Sequence, residues 1–123
     1  MLAGKTVLIV ETEIIISLSM QAVLHNLGAT NFVVLTNPAD FDPARNPWDG
    51  VGMAILEIEA GRPDQLHLVR SATTAGTPVL GLTADGQLRR AIPSLPDIPI
   101  MVKPVPDDCL AEAVASLMRS HDG

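Results

Sequence analysis

Five short apolar runs, separated by segments of helical spacing, set the narrowest limit on what this 123-residue chain can become. They are residues 6–10 (TVLIV), 31–35 (NFVVL), 52–58 (GMAILEI), 77–83 (TPVLGLT) and 98–102 (IPIMV). The first is continuously apolar and β-branched, which suits a strand buried on both faces. After it, Ile16, Met20, Val23, Leu24 and Leu27 share one helix face, and Gly28 stands where helices stop. Residues 39–44 predict a short, weak second helix limited by Pro43 and Pro47. Residues 63–74 predict a third, with Leu66, Val69 and Ala72 or Thr73 inward. Residues 87–92 allow barely two turns of a fourth before Pro93 and Pro96. A fifth starts at Pro106, with Leu110, Ala113, Val114, Leu117 and Met118 inward. Asp107 and Asp108 in its first turn, and Arg119 and His121 at its far end, complement the helix dipole. Strands alternating with helices predict an α/β fold: a parallel sheet, right-handed crossovers and helices on both faces.

Composition excludes several functions. The length fits one domain of ordinary size. The aromatic residues are Phe32, Phe41 and Trp48 alone, so stacking platforms for single-stranded nucleic acid are absent. A net charge of −6 and a pI near 4.8 argue against a phosphate-backbone partner. The lone Cys109 permits no internal disulfide or CxxC clip and suits a reducing compartment; it is expected to be a buried or idle thiol. No apolar run reaches the roughly 18 residues of a membrane span, and the first residues lack a signal-peptide layout. The expectation is a cytoplasmic domain without nucleic acid or membrane. No GxGxxG follows the first strand, no P-loop is present, and His25, His67 and His121 fall in no metal-ligand spacing. No nucleophile–base arrangement can be assembled, so an enzyme is not expected.

In sheets of this kind the polar site lies beyond the C-terminal strand ends. Those ends carry Glu11, Thr12 and Glu13, then Glu57 and Glu59, then Thr83, then Lys103. Carboxylates beside a lysine and a hydroxyl can hold a divalent cation and a phosphoryl group. At residues 7–13 (VLIVETE), 54–58 (AILEI), 82–84 (LTA) and 102–104 (VKP) the chain resembles the response-regulator receiver (CheY-like) family of two-component phosphorelays. The likeness runs over about residues 5–118 of a single domain, 1–123. It implies a flavodoxin-like doubly wound sheet of order 2-1-3-4-5, with a short second helix and a reduced fourth. By that resemblance Lys103 is the lysine that meets the acids and later phosphate, and Pro104 follows a cis bond. Thr83 is the hydroxyl that turns to the phosphoryl group, Glu11 the first acid of the pair, and Ile100 stands where a switching aromatic is common. Thr83 also suits a helix cap.

The departures bear on chemistry. Glu57 stands at the phosphoacceptor aspartate position and Thr12 at that of the main cation ligand. The extra methylene of Glu57 moves its carboxylate roughly 1.5 Å outward, and in-line transfer needs tight placement. Mg2+ binding is therefore expected to be weak or absent, with Glu11 and Glu57 as weak candidate ligands. Glu57 is expected to accept from Lys103, and from Thr83, as a partial mimic of a phosphorylated state. The alternative is a working receiver phosphorylated at Glu57 or Asp64. The implied partners are a histidine kinase or another signalling protein. The implied contact face, also open to a homodimer, is the fourth helix, fifth strand and fifth helix. Arg89 and Arg90 are read as a solvated face, and Trp48 as a plug at the approach to strand three.

Overall fold

Successive side chains of a strand point to opposite faces, and in the central strands of this chain both sets are apolar. The computed structural model describes residues 1–42, 44, 45 and 47–122, with only the backbone of Asp122. Its elements are β1 (Thr6–Val10), α1 (Ile14–Asn26), β2 (Asn31–Leu35), β3 (Met53–Glu57), α2 (Pro63–Thr74), β4 (Val79–Thr83), α3 (Leu88–Ala91), β5 (Ile100–Val102) and α4 (Asp107–Asp122). The five strands form one sheet of order β2-β1-β3-β4-β5, parallel throughout. This is the α/β, flavodoxin-like architecture expected from the sequence.

The alternation divides the core in two. Val7 and Ile9 of β1, Met53 and Ile55 of β3, and Leu80 and Leu82 of β4 face α1 and α4, meeting Met20, Val23, Leu24, Leu110, Val114, Leu117 and Met118. Leu8 and Val10, Ala54 and Leu56, and Val79 face the other way, against Leu68, Val69 and Ala72 of α2 and Phe41, Trp48 and Leu88. Each large aliphatic side chain so buried contributes roughly 1.5–3 kcal/mol of transfer free energy. Two covered faces explain why the strands read as continuous apolar runs.

Helix ends follow local chemistry. Gly28, at φ 102°, lets the Gly28 N–H reach the His25 carbonyl at 3.0 Å and the Ala29 N–H reach that of Leu24 at 3.1 Å, the paired bonds that close α1. The expected second helix does not form. Asn37 and Asp42 accept hydrogen bonds from the Ala39 and Ala44 N–H groups, each at 3.0 Å. Such local side-chain bonds compete with helix. A 3-10 turn at Pro38–Asp40 results; Pro43 lies outside the described residues. A second 3-10 turn, Trp48–Gly50, buries Trp48 against Phe41, ring centroids 4.4 Å apart, with its Nε1 donating to Ser71 Oγ at 2.9 Å. Trp48 therefore plugs the entry to β3, at the end of the sheet opposite the acids.

The outer face of α1 departs from the expected amphipathic pattern. Ile14, Ile15 and Leu18 are 55%, 79% and 59% exposed. Cys109 is exposed, so of its two readings burial is excluded. No described helix is long and apolar enough to cross a membrane.

Candidate functional site

Parallel pairing aligns the C-terminal ends of β1, β3, β4 and β5, so the residues just beyond them share one rim. The Glu11 N–H donates to the Leu35 carbonyl at 3.0 Å, and the Lys103 N–H to that of Thr83 at 2.8 Å. The ladder thus carries Glu11 and Lys103 inward from opposite sides of β3. Lys103 Nζ lies 2.9 Å from Glu11 Oε1 and 3.1 Å from Glu57 Oε2. Glu11 is fully buried, and the side chains of Lys103 and Glu57 are each 9% exposed. Residues 46 and 92 positions apart in sequence meet here in one ion triad.

Every oxygen of that triad has a donor. Glu57 Oε1 accepts from the Thr12 hydroxyl at 2.6 Å and the Thr12 N–H at 3.1 Å. Glu11 Oε2 accepts from the Glu13 N–H at 2.8 Å, ahead of α1. Burial pushes the Glu57 carboxyl upward, but the Thr12 hydroxyl, the Lys103 ammonium and the Thr12 N–H together outweigh it and hold it below its usual 4.5. Burial likewise lowers Lys103, and its bonds to Glu11 and Glu57 more than reverse that, raising it above 10.5. One ammonium faces two carboxylates, which leaves a net charge of −1 if both acids are ionised.

The remaining expected residues divide. Glu13 is exposed and supplies its backbone rather than its carboxylate. Thr83 is fully buried but does not reach Glu57; its hydroxyl donates to Glu59 Oε1. This corrects the expected Glu57–Thr83 contact: Glu57 bonds Thr12 and Lys103, and Thr83 bonds Glu59 instead. The Ala84 N–H lies 3.0 and 3.2 Å from the two Glu59 oxygens. Thr83 Oγ1 accepts from the Asp85 N–H at 3.0 Å, so it caps the turn, whereas Gln87 is the N-cap of α3. The Lys103–Pro104 peptide is cis. Ile100 is half-buried and borders a cavity of about 220 Å3 with Thr83, Leu88, Arg89 and Val102. Asp64 is exposed and pairs with Arg62 at 2.9 Å in the first turn of α2. Arg89 and Arg90 are exposed, as the solvated-face reading expects, and the Arg89 guanidinium donates to the Ile98 carbonyl and to that of Pro96.

Sequence reading missed Gln65. It is 2% exposed, and its Oε1 accepts the Glu59 N–H at 2.7 Å. Its position was a usable signal, since Gln65 falls on the same helical stripe as Leu68, Val69 and Ala72.

A Mg2+ ion requires near-octahedral oxygen ligands. The oxygens of Glu11 and Glu57 that could supply it bond Lys103, Thr12 and the Glu13 N–H, and Thr12 brings a hydroxyl where a carboxylate would bind a cation more strongly. The residues present do not fit the ion. Among the described residues no group of three or more His, Cys, Asp or Glu side chains is arranged to hold a metal.

No protein-family model matches the chain, and no curated protein matches it in sequence. Solved structures match its fold. A response regulator receiver protein from Sinorhizobium medicae WSM419 is 21% identical, with 98% of this chain and 99% of that one covered and a TM-score of 0.76. A signal receiver domain of a two-component histidine kinase from Clostridium thermocellum is 21% identical over 94% and 98% of the chains, TM-score 0.74. A response regulator from Thermotoga maritima gives 21%, 94%, 98% and 0.73. The chain has the receiver fold.

Proposed function

We propose that the chain is an atypical receiver domain of a two-component phosphorelay, working by constitutive protein–protein contact and not by phosphoryl transfer. The observation that carries this reading is the closed triad: Glu57, at the position of the phosphoacceptor, has its oxygens taken by Lys103 and by both donors of Thr12. A nucleophile for phosphoryl transfer needs a free, correctly placed oxygen and a cation to neutralise the donor. Here each Glu57 oxygen is already held by a donor, and Thr12 offers a cation a hydroxyl in place of a second carboxylate. A carboxylate held on Lys103 supplies about one negative charge where a phosphoryl group supplies nearly two, so the mimicry of a phosphorylated state is partial. The partner is a histidine kinase or another signalling protein. The contact face is α3, β5 and α4, where Val102 is 47% exposed.

The test is mass spectrometry after incubation with acetyl phosphate and Mg2+, with Mg2+ titrated by calorimetry. The wild type is expected to gain no phosphoryl mass and give no binding heat. The double variant Thr12→Asp, Glu57→Asp is expected to bind Mg2+. A phosphoryl group mapped to Glu57 or Asp64 of the wild type would overturn the reading, and a double variant still blind to Mg2+ would overturn the assignment of the pocket.

A further inference from the structure

Glu59 is an acid of the rim whose carboxylate takes no part in the Lys103 triad. Its carboxylate instead receives two convergent donors from the C-terminal end of β4 and the residue after it, the Thr83 hydroxyl and the Ala84 N–H. Both of its oxygens stand within 3.2 Å of the Ala84 nitrogen. It is also fixed from behind, because its own N–H is held at 2.7 Å by the buried Gln65 of α2. An O–H and an N–H aimed at a single point form a site for an oxyanion. Thr83 is moreover the hydroxyl that the resemblance assigns to a phosphoryl group.

We propose that Glu59 is a tethered anion, occupying an oxyanion site formed by the Thr83 hydroxyl and the Ala84 N–H and holding the β4–α3 loop in the shape a bound oxyanion would impose. The clasp continues along the chain: the Asp85 N–H donates to Thr83 Oγ1 at 3.0 Å, and the Gln87 N–H to Asp85 Oδ1 at 2.8 Å. The helix α3 has four residues. A helix that short does not sustain itself, so its position depends on the loop that leads into it. Gln65, Glu59, Thr83, Asp85 and Gln87 thus connect α2 to the α3–β5 surface and to the cavity beside Ile100. The proposal rests on the receiver reading only for the identity of the anion displaced; the clasp itself stands on its hydrogen bonds.

The experiment is amide NMR with hydrogen exchange on the full chain as wild type, Glu59→Ala and Glu59→Gln, titrated with inorganic phosphate and, separately, sulfate. In Glu59→Ala the Ala84 amide is expected to move upfield and to exchange roughly tenfold faster or more, the scale of a lost charge-assisted bond. Phosphate is then expected to return the Ala84 resonance toward its wild-type position, saturably, while leaving the wild type unmoved. Sulfate acting alike extends the site to tetrahedral oxyanions generally. An Ala84 amide unchanged in Glu59→Ala would overturn the clasp. A loosened loop blind to both anions would overturn the oxyanion site. Should Glu59→Ala not fold, the isosteric Glu59→Gln decides: its neutral oxygen is a weaker acceptor, so an unmoved Ala84 amide overturns the proposal. Phosphoryl uptake on Glu57 of the wild type would defeat the earlier reading and leave this one intact, so the two fail separately.

Discussion

Lys103 is the single cation on which two buried acids depend. Glu11 has no exposed surface, and an ionised carboxylate out of water is costly unless paired. Removing one member of a buried pair strands the other, typically at about 3–5 kcal/mol. Lys103→Met is therefore expected to lower unfolding stability by that order in urea titration; a loss under about 1 kcal/mol would contradict the pairing. The same groups set a pH window. Glu57 is depressed in the folded state, so its stabilisation is present above its unfolded value of 4.5 and is lost as pH falls through the lower folded value. Lys103 is raised, so its stabilisation is complete below 10.5 and is lost as pH climbs through the higher folded value. Urea midpoints measured across pH are expected to decline at both ends, with a plateau between.

At the scale of elements, β4 is constrained by one glycine. Gly81 pairs with Leu56 of β3 and with Ile100 of β5. A methyl group there would stand 3.0 Å from Ile58 Cδ1 and 3.2 Å from Ile100 Cγ1. These neighbours belong to the layer between the sheet and α2, and each would have to give by a few tenths of an ångström. Gly81→Ala is expected to destabilise by about 1–3 kcal/mol through overpacking, read as a shifted denaturant midpoint with unchanged slope; a stabilised variant would show that the aliphatic neighbours yield. The outer face of α1 behaves in the opposite way. Ile15 is 79% exposed, and Ile15→Ser is expected to change stability by no more than about 0.5 kcal/mol. A larger loss in the same titration would mean that this face is covered.

For the whole molecule, the proposed lack of a Mg2+ site at Glu11, Thr12 and Glu57 has a thermodynamic signature. A ligand bound only by the folded state raises stability with its concentration, by about 2.7 kcal/mol at a hundred times Kd. The thermal midpoint is accordingly expected to be indifferent to millimolar Mg2+, and a concentration-dependent rise would contradict the reading of Glu11, Thr12 and Glu57. The architecture behind this site was legible in the chain. The continuous apolar run at residues 6–10 suited a strand covered on both faces, and Gly28 stood where α1 stops, because those signals are local and periodic. The failed helix at 39–44 was less legible, since Asn37 and Asp42 turned the backbone by short-range bonds that no apolar spacing reports. The rim residues themselves were readable from where each strand stops. Which acid each donor would choose was not: whether Thr83 reached Glu57 or Glu59 depended on loops from β3 and β4 meeting, and on Gln65 fixing one of them from α2. Periodicity and strand-end chemistry are written along one dimension, whereas hydrogen bonds between residues dozens of positions apart are selected only when packing sets ångström-scale distances between them.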